Sequence, residues 1–352
     1  MTRARVGIVG CGDVTNLYLP GCALFPVIEL AACADLDPVR AAVVAERAGI
    51  PAVSVEDLLR DPSIEIVLNL TPPKAHAAVS LAAIAAGKHV YTEKPLATSR
   101  DDAQSVLGAA AAAGVRVGGA PDTFLGAGFQ TTRELIEAGA IGRPDLAVVT
   151  FAHHGPEHWH PNPDIFYASG GGPLLDVGPY SIAALVELLG PVAQVSAMGI
   201  GGDGTRQIAT GPRAGEIIPV EVPTSVVATL RFVSGAIASL TASFDVVAST
   251  APRIAIHGES GSIEPGDPNE FDDIVRLRRR GDDSWQEVPF TAPTGMLRGV
   301  GLADMIEAIR ADRPHRASGD RAFHTLDVLL SLEESVASGA AVDVRVGSVA
   351  SA

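Results

Sequence analysis

The sequence predicts a doubly wound α/β unit over residues 1–121, followed by an α+β unit over 122–352 with an open, mainly antiparallel sheet. Three observations predict it. Strand and helix patterns alternate strictly up to Pro121, which implies a parallel sheet covered on both faces. A glycine cluster, Gly7-Ile8-Val9-Gly10-Cys11-Gly12, closes the first strand pattern. Beyond Pro121 the strand patterns follow one another without interleaved helices, as in an antiparallel sheet.

In order, Arg5–Val9 is a strand, and Val14–Leu24 is a helix entered through Gly12-Asp13. Ile28–Ala34 is a strand, and Pro38–Ala48 is a helix with proline in its first turn. Ile64–Leu70 is a strand, backed by a helix over Pro73–Ala86 with Gly87 as C-cap. His89–Thr92 is a strand, Ser99–Ala113 a helix capped by Ser99, and Val115–Gly118 the last strand of the unit. In the second unit Thr131–Ala138 and Leu174–Leu189 read as helices. Between them lie the strand Leu146–His153 and a loop rich in His, Pro and Gly. Strands follow at Val192–Ile200, Val226–Phe232, Ala236–Phe244, Arg253–His257, Val275–Arg278 and Glu287–Phe290. Gly199–Glu216 reads as an exposed loop, and helices over Leu302–Ala311 and Ala322–Ser338 close the chain.

Apolar residues are 47% of the 352 and charged residues 19%, so two cores are readily supplied. A formal charge of −15, with Arg278-Arg279-Arg280 as the one basic run, argues against nucleic-acid or anionic-membrane partners. Cys11, Cys22 and Cys33 lack C-x-x-C spacing and read as small buried residues in a reducing compartment. The Met1–Arg5 segment runs straight into a strand, leaving no room for a signal peptide. No apolar stretch is read as reaching the roughly 18–20 residues of a membrane span; Ala77–Ala86 is too short. The expectation is a soluble, cytoplasmic protein.

Gly10-x-Gly12-x-x-Thr15 stands at a strand–turn–helix junction, where glycines let the backbone approach a pyrophosphate seated on the helix N-terminus. Gly10, Cys11, Gly12, Asp13 and Val14 are therefore candidate cofactor contacts in a Rossmann-type unit. Thr15 replaces the usual third small residue, so helix–strand packing must relax slightly. Asp35 ends the second strand and can accept both ribose hydroxyls of an adenosine, while repelling a 2′-phosphate. Leu36 follows it rather than an arginine, so NAD is favoured over NADP. Leu70, Thr71, Pro72 and His76 would lie along the same crevice, although a plain loop with a Pro-initiated helix is the alternative. Glu93-Lys94-Pro95 ends the strand His89–Thr92. Burial and nearby charge move a lysine pKa readily, which suits a reactive amine; the alternative is an exposed Glu–Lys pair ahead of a helix.

Gly-Ile-Val-Gly-Cys-Gly, Thr71-Pro72-x-x-x-His76, Ala86-Gly87-Lys88-His89-Val90 and Glu93-Lys94-Pro95, in this order, resemble the glucose–fructose oxidoreductase/inositol dehydrogenase (Gfo/Idh/MocA) family. The resemblance continues through Gly170-Gly171-Gly172-Pro173-Leu174-Leu175-Asp176-Val177-Gly178. It implies a Rossmann domain, an open mixed sheet, and NAD(P)-dependent redox chemistry on a sugar or polyol bound between the domains. It also implies homodimers or homotetramers packed through the sheets, Glu93 and Lys94 lining the pocket, and a Lys94–Pro95 bond that is often cis. Many members place histidine four residues after the aspartate matching Asp176; this chain has Tyr180. A spacing of four puts both on one helix face. Lys94 and Tyr180 are the expected proton-transfer pair, with Asp176 orienting the substrate.

Asp122, Trp159, His160 and Tyr167 are further expected contacts to a carbohydrate-like ligand. The histidine-rich loop has neither H-E-x-x-H nor cysteine pairs, so no metal is expected. Two other functions stay open. One is an NAD-dependent glycosidase or lyase that oxidises its substrate transiently. The other is a catalytically silent dinucleotide sensor.

Overall fold

Four of the first five strands are short and buried along nearly their whole length, as a parallel sheet with both faces covered requires. In this computed structural model, residues 3–202 and 204–346 are described. The chain opens with β1 (Ala4–Val9), α1 (Thr15–Leu24), β2 (Ile28–Ala34), α2 (Pro38–Ala48) and α3 (Val55–Arg60). It continues with β3 (Ile66–Asn69), α4 (His76–Ala85), β4 (His89–Thr92), α5 (Arg100–Ala113) and β5 (Val117–Gly119). The strands lie in the order β2-β1-β3-β4-β5, every pairing parallel. The doubly wound expectation holds. Helix α3, too short for apolar periodicity to register, is capped by Ser54, which accepts from Asp57 N at 3.0 Å.

The second unit begins with α6 (Ala127–Glu137), β6 (Pro144–Ala152), α7 (Asp164–Tyr167) and α8 (Gly172–Leu189). There follow β7 (Val192–Gly201), β8 (Thr205–Gln207), β9 (Ile217–Pro219), β10 (Pro223–Phe232), β11 (Ile237–Ser243) and β12 (Ile254–Gly258). Then come β13 (Gly261–Glu264), β14 (Val275–Arg279) and β15 (Gln286–Val288); α9 (Val300–Arg310) and the first part of α10 (Gly319–Ser338) return to the first unit, and the rest of α10 and β16 (Val342–Asp343) belong to the second. Nine of these strands form one sheet, ordered β15-β14-β13-β12-β6-β11-β10-β7-β16, in which β6–β11 is parallel and the other pairings are antiparallel. Period-two alternation sets its faces. On β10, Val226, Ala228, Leu230 and Phe232 are buried while Val227, Thr229 and Arg231 face out.

Four expectations need correction. The 121/122 boundary misses a return of the chain: one unit runs through Leu125 and takes in Gly295–Leu326, the other holds Gly126–Thr294 and the segment from Asp327. Asp122 causes that return, because its Oδ2 accepts from Gly299 N and Gly301 N at 3.0 Å each. Helix α6 starts at Ala127 rather than Thr131, and its first residues are wholly buried. Gly199–Glu216 is not a uniform exposed loop. It carries β8, paired with β9 just beyond it, and buries Ile208 in a cluster with Ile218 of β9, Tyr167 and Phe244. Finally, one stretch does reach spanning length: Gly172–Leu189 is long and apolar enough. Most of that helix is buried inside the fold, as expected of a core helix.

Candidate active site

The glycine turn gives each glycine a different task. Gly10 has φ +98°, and a Cβ there would lie 2.5 Å from the Leu70 carbonyl carbon. Its bareness lets the carboxyl ends of β1 and β3 meet. A Cβ on Gly12 would meet nothing within 4 Å, so that side is open to a ligand. Helix α1 has Val14 at its N-cap and no side-chain capping bond, which leaves its positive end to an anion. Thr15 fits the tight position by donating its buried hydroxyl to Gly10 O at 3.2 Å.

Asp35 closes the turn from the second strand. Its Oδ2 accepts from Cys11 N at 2.7 Å and its Oδ1 from Asp37 N at 2.8 Å. Each oxygen keeps a lone pair for a ribose hydroxyl. A cleft of about 300 Å³ opens beside it, lined by Gly12, Asp13, Asn16, Arg40 and Arg47 among others. Arg40 lies 3.5 Å from Asp37, and Arg47 donates to Asn16. These arginines were missed in the sequence because neither follows Asp35 directly. The Cys11 thiol beneath the turn is pushed up to about 12 by burial, then by Cys33 and Asp35. Cys22 is likewise pushed up to about 12, chiefly by burial, so both behave as packing residues.

At the ends of β3 and β4 the polar groups interlock. Asn69, wholly buried, accepts the Thr71 hydroxyl at 2.6 Å and donates to His76 O at 3.0 Å and Ser80 Oγ at 3.2 Å. The sequence signal for it is a lone amide ending an apolar strand. Leu70 is buried against Gly10, whereas Thr71 and Pro72 are more exposed. His76 is buried, with its ring nitrogens on backbone carbonyls rather than facing the crevice. Glu93 is also buried: Oε1 accepts the Tyr18 hydroxyl at 2.9 Å and Oε2 accepts Lys94 N at 2.9 Å. Burial, then Glu93, raises the Tyr18 pKa, so Tyr18 remains a neutral donor. Lys94 is partly buried, and its bond to Pro95 is cis.

In the second unit, Asp176 and Tyr180 sit one turn apart on α8, the first partly exposed and the second buried. His153, next after β6, feels the Asp176 carboxylate. Burial, the largest influence, nevertheless holds its imidazole below the ordinary value. His153 was absent from the expected site because its loop holds so many histidines. Trp159 is exposed and makes edge contacts with His160, at a centroid distance of 5.4 Å, while His160 meets Phe166 at 5.1 Å.

Tyr167 departs from the expected contact role. It is fully buried, its hydroxyl donates to Glu157, and burial raises its pKa. Asp122 departs likewise: it is wholly buried, with one oxygen committed to the Gly299–Gly301 turn.

A glycine turn, an uncapped helix end and an acceptor carboxylate at one edge of a parallel sheet define a dinucleotide-binding protein. The profile of the oxidoreductase family with an NAD-binding Rossmann fold matches residues 4–120, and that of the GFO/IDH/MocA C-terminal domain matches residues 129–264. The chain belongs to the GFO/IDH/MocA oxidoreductase family, and is an NAD(P)-dependent dehydrogenase or reductase. It is 28% identical to 1,5-anhydro-D-fructose reductase of Ensifer adhaerens over 352 aligned residues, covering 97% of this chain and 99% of that one. Levoglucosan dehydrogenase of Pseudarthrobacter phenanthrenivorans is 26% identical over 294 residues, 75% of this chain and 73% of that one. A solved levoglucosan dehydrogenase in complex with NADH and L-sorbose shares the fold, with a TM-score of 0.81 at 23% identity, covering 98% of this chain and 100% of that one.

The two glycines should separate stability from binding. Gly10→Ala is expected to cost about 2–4 kcal/mol in urea unfolding, from positive φ and overpacking. Gly12→Ala should leave stability within about 0.5 kcal/mol yet weaken NADH binding at least about tenfold. Equal effects on both quantities in the two variants would contradict the assignment.

Proposed function

We propose that this protein transfers hydride between NAD(H) and a secondary alcohol or ketone of a sugar, polyol or glycoside. The observation that carries the reading is Lys94: it stands two residues past the end of β4, beside the strand that leads into the glycine turn's neighbour Leu70, with its amide held by buried Glu93. Sugar-acting relatives support the substrate class. Gly10, Cys11, Gly12, Asp13 and Val14 would hold the pyrophosphate, Asp35 the adenosine ribose, and Thr71 and Pro72 the nicotinamide side. Bound nicotinamide supplies the hydride acceptor at its C4.

The chain's own work is positioning and proton transfer. Tyr180 takes the hydroxyl proton. A phenol titrates near ~10, so it serves as a base only with the help of a cation, and Lys94 is the cation this reading assigns to it. Asp176 orients the substrate hydroxyls, and the Trp159–His160 edge offers an aromatic face to a sugar ring. Tyr167 and Asp122 hold loops and are left out of the ligand contacts.

A second reading of the proton carrier is favoured by one observation: His153 is a largely neutral imidazole under the influence of Asp176. Lys94→Met and Tyr180→Phe should each lower turnover at least about 100-fold while NADH affinity stays within about threefold. Full turnover in Lys94→Met on an authentic sugar would sink the assignment. Full turnover in Tyr180→Phe combined with loss in His153→Asn would move the base to His153.

Asp35 supports NAD over NADP, against the pull of Arg40 and Arg47. Fluorescence titration should find NADH at least about tenfold tighter than NADPH; the reverse order overturns this reading. The outer face of the nine-stranded sheet exposes Met198, Ile200 and Val227, which supports a homodimer or homotetramer packed through that sheet. Light scattering should give a dimer or tetramer mass that Val227→Glu lowers. A monomeric wild type would exclude it.

A further inference from the structure

His76 opens α4, just past the Thr71–Pro72 turn, and is 1% exposed. Its Nδ1 lies 2.6 Å from Pro95 O and its Nε2 2.7 Å from Thr71 O. Both partners are carbonyl oxygens, which only accept. A neutral imidazole carries a single N–H, so whichever nitrogen holds it, the other turns a lone pair toward an oxygen. Only the imidazolium donates to both. The geometry therefore ties two peptide segments to the charge of one ring, and these segments carry Thr71 and Lys94.

We propose that His76 is a proton-operated latch, a positioning residue that as imidazolium joins the Thr71 turn to the Lys94–Pro95 segment and as neutral imidazole releases one of them. Its surroundings make the charge adjustable. Burial, the largest influence, and the Lys94 ammonium lower its pKa, while the Pro95 and Thr71 carbonyls and the Glu93 carboxylate raise it. The balance lies below the ordinary histidine value. The latch is thus closed at acid pH and opens as pH rises through that lowered midpoint. Asn69 limits the opening on the β3 side, because it grips both the Thr71 hydroxyl and the His76 carbonyl. On the other side Glu93 holds the Lys94 amide at 2.9 Å, so the proton governs how the Pro95 carbonyl end of the Lys94–Pro95 segment is held.

The consequence for turnover rests on the dehydrogenase reading, but the latch itself belongs to the ligand-free protein. It is tested on the full chain labelled with nitrogen-15 at histidine and at the backbone, titrated from about pH 5 to 8. The His76 ring is assigned by its loss in His76→Gln, or in His76→Asn if the first variant does not fold. At the acid end both His76 ring nitrogens should carry protons. As pH rises one should lose its proton, and the Lys94 and Leu96 amide signals should shift with the same midpoint. A single protonated nitrogen throughout, or a ring titration that leaves those amides still, overturns the latch. With substrate, the wild-type kcat/KM profile should contain a step at this midpoint that His76→Gln abolishes. A titrating latch in a protein that turns over no sugar would instead remove the dehydrogenase reading.

Discussion

The close approach of the carboxyl ends of β1 and β3 is the constraint on which the rest of the first unit depends. No side chain fits between Gly10 and the Leu70–Thr71 backbone. Beyond the glycine turn a cleft opens, lined by Cys11, Gly12 and Asp13 among others, and Asp35 holds the Cys11 amide at its border. Glu93 then fixes the neighbouring strand end, with Tyr18 on one carboxylate oxygen and the Lys94 amide on the other. Burying a carboxylate is costly unless its oxygens are satisfied, and here both are. The same acid that secures α1 to β4 also aims the segment bearing the lysine.

The second unit solves a different problem, that of a long polar segment leaving a sheet. Glu157 is buried yet accepts from Tyr167 and lies 3.7 Å from Arg206, which pairs with Asp245. Asp245 in turn accepts from Thr224 and Ser225 at 2.7 Å each. A buried ion pair alone is a weak stabiliser. Here only Glu157 is deeply buried, Arg206 and Asp245 keep about a third of their side chains exposed, and Tyr167 links the acid to an apolar cluster with Ile208, Ile218 and Phe244. That anchorage leaves Trp159 at the surface.

The parallel unit is legible in the sequence because its strands are mostly apolar and its helices carry local caps such as Ser99 and Asp37. The glycine turn and Asp35 are legible for the same local reason. What escapes is what depends on partners distant in sequence. The return of Gly295–Leu326 follows from the Asp122 carboxylate bonding backbone some 180 residues away, and nothing near Asp122 announces it. Tyr167 reads as a ligand contact until its acid partner is known. Strands β8 and β9 are three residues each, too short for alternation to be visible. His76 is legible as a motif residue, but its two carbonyl partners are not.

The most direct test of hydride chemistry at this site is isotope transfer. Sugars, polyols and glycosides carrying deuterium on a ring carbinol carbon are incubated with the protein and NAD, and the nicotinamide is recovered. Deuterium at C4 of reduced nicotinamide, matched by ketone product, is the result predicted for a dehydrogenase. Deuterium-free, unreduced NAD alongside cleaved glycoside, or bound NAD with every substrate untouched, would contradict it.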